Sequence, residues 1–165
     1  MLNDVKDYLP LLNAVLITDL FGILLSNMGI IKSDILKEWY SKYNLTAVIA
    51  DVSIILIVLI ITKQIYNNIF NEYSIIKFII LAVILQIIHD IVFYIIITMI
   101  PRGTNKMIDT FKDYANEISY MAIIGDSAMM IMACLIFNYL ENKDTKINIL
   151  ILILSLYVMS YLLNN

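Results

Sequence analysis

QIIHDIVFY, residues 86–94, lies in the middle of an apolar run that extends from about 78 to 100. A helix needs about 20 apolar residues to cross a bilayer, and this run is long enough. Gln86, Asp90 and the only histidine of the chain, His89, fall near its centre. A carboxylate and an imidazole at membrane depth are costly, so they need partners from other helices. Gln86, Asp90 and Tyr94 follow one another at intervals of four, which predicts a polar stripe along one helix face.

The composition extends that reading to the whole chain. Of 165 residues, 61% are hydrophobic and 15% charged, against about 45–50% and 25% for a soluble domain. Ile and Leu occur in runs too long for soluble helices or core strands. The fold class is therefore an all-α membrane protein: one integral domain over 1–165, a bundle of about five transmembrane helices with two short amphipathic interfacial helices. The partner is a lipid bilayer. A net charge of −3 gives no general attraction to nucleic acid. A single cysteine, Cys134, excludes a disulfide framework and a cysteine-cluster metal site. The lead, MLNDVKDY, is acidic, and Asp19 interrupts the first apolar run. That run is expected to stay as a permanent helix and not to act as a cleaved signal.

The spans are expected at about 9–27, 46–62, 78–100, 118–140 and 147–163. Pro10 suits a first helical turn. Asp19, Gly22 and Ser26 share one face of the first span, Ala47, Ala50 and Asp51 one edge of the second, and Ser119, Ala122 and Asp126 one face of the fourth. Small residues on these faces permit close approach. The fifth span carries no acid and is expected to pack outside. Segments of about 33–44 and 104–117 are amphipathic. Ser33 is the expected N-cap of the first and Thr104 of the second. Trp39 and Tyr40 suggest that the first lies among the headgroups.

Depth brings the acids together. Antiparallel neighbours and a rise of about 1.5 Å per residue put Asp51, Asp19, Asp126 and Asp90 roughly 8–15 Å in from the end that bears both amphipathic segments. Each Asp costs about 2.5–3.5 kcal/mol at a helix centre, while each Ile or Leu returns about 0.3–0.6. Four acids facing lipid would cost on the order of 10 kcal/mol, so they should face inward. No Lys or Arg falls inside the four expected acid-bearing spans. Four carboxylates cannot all stay ionised in low dielectric, so protons, a bound cation or a water column must neutralise them.

Three functions follow from this layer. The first is a proton or cation site, channel- or transporter-like, using Asp19, Asp51, His89, Asp90 and Asp126 with Gln86, Tyr94, Ser26 and Ser119 in support. The second is a structural protein whose aspartates are interhelical hydrogen-bond glue. The third is a metal-dependent intramembrane hydrolase, with Asp90, His89 and Asp126 as ligands of a hard or borderline ion. No cofactor beyond such a cation is implied, and no catalytic nucleophile motif is present. Five spans are too few to enclose a wide pore, so a homo-oligomer is expected. Six Lys/Arg on one side against five on the other leave the orientation undetermined.

Five stretches carry a resemblance: LNAVLITD (12–19), AVIADV (47–52), QIIHDIVFY, PRGTNKMIDTFKDYANE (101–117) and GDSAMM (125–130). Together they resemble an uncharacterised family of multi-pass membrane proteins in giant DNA viruses of algae and protists. The resemblance covers about residues 8–140 and brings no assigned activity. It implies a viral or virus-modified membrane, such as the inner membrane of a virion or a membrane of the infected cell.

Overall fold

The computed structural model describes residues 8–164. Most of the polar lead therefore lies outside the described residues. Among those described, the chain forms seven helices and no strands: α1 (Tyr8–Asn27), α2 (Asp34–Tyr43), α3 (Leu45–Ile69), α4 (Ile75–Met99), α5 (Lys106–Ile118), α6 (Met121–Leu140) and α7 (Thr145–Leu162). Five of them, α1, α3, α4, α6 and α7, are long and apolar enough to cross a membrane. By helix length and composition, this is a multi-pass membrane protein.

The packing is a ring with one helix outside. Each of α1, α3, α4 and α6 touches the next, and α6 closes the ring on α1. Helix α7 packs on the outer side of α1. Most of α1 is buried, whereas α4 and α7 are largely exposed and offer lipid a surface of Ile and Leu. Ala14, Ala47, Ala82 and Ala133 are fully buried at the crossings, where a small side chain lets backbones approach. Asn13 and Asn148 join α1 to α7: the Asn13 amide donates to the Asn148 backbone carbonyl at 2.8 Å and to its side-chain oxygen at 3.2 Å.

The amphipathic helices α2 and α5 touch each other, so both cap the same end of the bundle. Their entries and exits are sharp. The positive-φ residues among those described are Gly29 (71°), Asn44 (46°), Gly103 (86°) and Ser119 (50°), and they flank α2 and α5. Ser33 caps α2 as expected, accepting the Leu36 amide at 3.0 Å. The α5 cap is Asn105 and not Thr104; its side-chain oxygen accepts from Met107 N–H at 2.8 Å and Ile108 N–H at 3.3 Å. An amide oxygen one residue nearer the helix meets both orphan donors.

Helix α2 turns Trp39 and Tyr40 into the common core, where both are buried. Two expectations need correction. Helix α3 runs on to Ile69, so Lys63 lies inside a spanning helix and is itself buried, with its ammonium 5.1 Å from the Phe137 ring centre. It sits about 18 Å along the helix from Asp51, near the end opposite the acids. Helix α6 starts at Met121, because the positive φ of Ser119 ends α5 and turns the chain.

Candidate carboxylate site

Each acid lies on the buried stripe of its own helix. On α3, Asp51 continues the line through Ile55, Val58, Thr62 and Tyr66; on α6, Asp126 precedes Met130, Ala133 and Phe137. Asp19 is fully buried on α1, and Asp51, Asp90 and Asp126 are half-buried. From the observed helix ends, the four lie roughly 7–14 Å in from the α2/α5 end, within one layer.

Helix α2 supplies the donors for two of them. The Trp39 indole N–H donates to Asp51 Oδ2 at 2.9 Å, and the Tyr40 hydroxyl donates to Asp19 Oδ1 at 3.2 Å. Asp19 and Asp51 are close enough to repel each other, and the Tyr40 hydroxyl lies between them. Burial holds the Tyr40 phenol well above its ordinary pKa, and the charges of Asp51 and then Asp19 push it further. Tyr40 therefore keeps its proton and stays a donor. Asp19 Oδ2 is buried and has no hydrogen-bond partner.

The second half of the layer is on α4 and α6. The Gln86 amide donates to Asp90 Oδ1 at 2.7 Å, and His89 Nδ1 lies 3.2 Å from the same oxygen. Asp90 Oδ2 and Gln86 Oε1 are buried without partners. Asp126 interacts electrostatically with Asp90, Asp51 and His89, which joins the two halves. Tyr114 of α5 faces this junction. Burial, then Asp126, Asp51 and Glu117, raise its phenol pKa above the ordinary value.

An aromatic chain ties the halves together sterically. The His89 ring stacks on Phe93 with centroids 5.8 Å apart, Phe93 meets the edge of Phe111 at 5.3 Å, and Phe111 packs on Trp39 at 4.5 Å.

The supporting residues divide. Gln86 belongs to the site. Ser26 is buried, but its hydroxyl has no partner. Ser119 is an exposed turn residue outside the layer. Tyr94 leaves the stripe: Gln86 is 3% exposed, the Asp90 side chain 15% and Tyr94 52%. Each step of four residues drifts about 40° around a helix of 3.6 residues per turn. Two steps carry Tyr94 towards lipid, while Phe93 and Ile97 keep the inward face.

Among the described residues, no three His, Cys, Asp or Glu side chains are arranged to hold a metal ion. The expected set Asp90, His89 and Asp126 is not among such groups; Nδ1 of His89 is turned to Asp90 and its ring stacks on Phe93. Trp39 and Tyr40, the donors to two acids, were not anticipated as site residues. Their signal was an adjacent aromatic pair with two polar tips next to acid-bearing spans. No family model, no curated protein and no solved structure matches the chain.

Proposed function

We propose that this multi-pass membrane protein binds protons on its buried carboxylates and passes them from one to the next, a channel- or transporter-like role with access from the α2/α5 end. The observation that carries this reading is the meeting of four acids from four spans, with no Lys or Arg among the described residues of those spans at their depth and with Asp19 Oδ2 and Asp90 Oδ2 left without partners. Like charges this close in low dielectric cannot all persist. A proton neutralises a carboxylate without a shell of further ligands, whereas a coordinated metal would need a ligand group.

The chemistry runs along the contacts described. Asp90 shares its Oδ1 between the Gln86 amide and His89 Nδ1, so a proton taken by the imidazole sits beside the carboxylate. Asp126 and Asp51 then link Asp90 to Asp19. Proton transfer needs no wide pore, so one chain suffices.

The test is proton flux through purified protein in liposomes, with Asp90→Asn and Asp126→Asn beside wild type. Each amide keeps the shape and removes the titrating group, so flux should fall about a hundredfold or more, the usual weight of a positioned proton-transfer group. Trp39 and Tyr40 donating to Asp51 and Asp19 favour a second reading, interhelical hydrogen-bond glue in a structural membrane protein. On that reading the variants lose thermal stability and leave flux at the wild-type level.

A further inference from the structure

Glu117 stands at the end of α5, and its carboxylate reaches the start of α2. Oε1 accepts the Asp34 backbone N–H at 3.0 Å, and Oε2 accepts the Ser33 hydroxyl. Ser33 is also the cap of α2, so the carboxylate completes that cap. It satisfies an orphan amide and places a negative charge at the positive end of the helix. Further along, the Tyr43 hydroxyl and Thr110 Oγ1 bond at 3.0 Å, and Trp39 packs on Phe111. Helix α2 is thus fastened to α5 on one side. On the other it holds Asp51 and Asp19 through Trp39 and Tyr40.

Both ends of α2 are sharp turns, at Gly29 and at Asn44. We infer that α2 is a hinged cover over the Asp19–Asp51 pair, held shut by the Glu117 carboxylate, and that its release opens the acid layer to water from that end. Hinges of this kind absorb the backbone change while the helix moves as a body. The inference rests on the proton-site reading for its purpose, but its test reads access and not flux.

The chain carries its own reporter, because Trp39 is its only tryptophan and lies buried in the cover. In liposomes, Glu117→Ala should increase quenching of Trp39 fluorescence by acrylamide. It should also speed amide formation at Asp51 and Asp19 by a water-soluble carbodiimide and glycinamide, measured by mass spectrometry against the exposed Asp144. About tenfold is expected, the factor for losing hydrogen bonds to a charged group. Ser33→Ala removes one arm of the clamp and should move both signals a few-fold in the same direction; it decides the question if Glu117→Ala does not fold.

Wild-type labelling and quenching in both variants would overturn the cover. So would equal acceleration of maleimide labelling at the deeply buried Cys134, which would mean general loosening. Absent flux with a responsive α2 sinks the proton reading alone. Flux with an unresponsive α2 sinks the cover alone.

Discussion

Replacing Trp39 with Phe removes one atom that matters, the indole N–H that meets Asp51 Oδ2 at 2.9 Å. The phenyl ring keeps most of the packing on Phe111 and Tyr43, whose centroids lie 4.5 and 5.0 Å away. The carboxylate oxygen is left in place without its donor, which costs about 1–3 kcal/mol. Asp51→Leu makes the opposite error and strands the indole N–H, at about 1–3 kcal/mol. With both changes no polar atom is stranded, so the double variant should cost less than the sum. The size of the coupling can be bracketed. Interhelical bonds in membranes average about 0.6 kcal/mol, and bonds to charged groups about 1.5–3 kcal/mol. A coupling of about 1–2 kcal/mol is therefore expected for this partly buried pair. Reversible unfolding in mixed detergent micelles, followed by circular dichroism across the four-member cycle, measures it. A coupling inside the additive scatter of about 0.3–0.5 kcal/mol would refute the reasoning: Trp39 would then be an ordinary interfacial aromatic, and α2 no part of the acid layer.

Two further outcomes are expected. Ser119 holds φ 50° and ψ −127°, a conformation that a Cβ makes costly, so Ser119→Gly should stabilise the fold by about 1 kcal/mol and raise the melting temperature; an unchanged or lower value would count against strain at that turn. Burial, and then the charge of Glu141, push the Tyr73 phenol up to about 12. The folded state therefore keeps this proton longer than the unfolded chain, whose tyrosines titrate near 10. The stability is present in full below about pH 10 and declines as pH rises towards the folded value, the same sign as for Tyr40. Melting curves from pH 9 to 12 with 295 nm absorbance, compared with Tyr73→Phe, should show a shallower alkaline decline in the variant; an identical slope would disprove it.

The apolar runs are long enough to override any local ambiguity, so each span and each amphipathic helix could be located from sequence, although α3 runs seven residues past its expected end to Ile69. The acids were legible for a related reason. An Asp inside such a run has few tolerable places to face, and its spacing from small residues on the same helix names the face. What periodicity cannot supply is contact between distant segments. Asn13 sits in an apolar run much as Asn148 does, and nothing in either neighbourhood says that they meet 135 positions apart. Trp39 and Tyr40 gave no sign of the acids they meet: an apolar ring with a polar tip suits a headgroup zone and a buried carboxylate equally. The Tyr94 error was geometric, since four-residue spacing follows a helix face only briefly before the drift accumulates.

The central position of α1 has a consequence for biogenesis. This helix leaves the ribosome before every helix that encloses it. When it enters the bilayer, Asp19 has no tyrosine hydroxyl to meet and Asn13 no asparagine across from it. A lone acid near mid-membrane costs about 2.5–3.5 kcal/mol. The segment with the most polar atoms to hide thus spends longest without shelter. Its sealing waits for α7, the last helix described to be translated. The polar groups of α1 thus stay unmet until the later helices described have been made and packed around it.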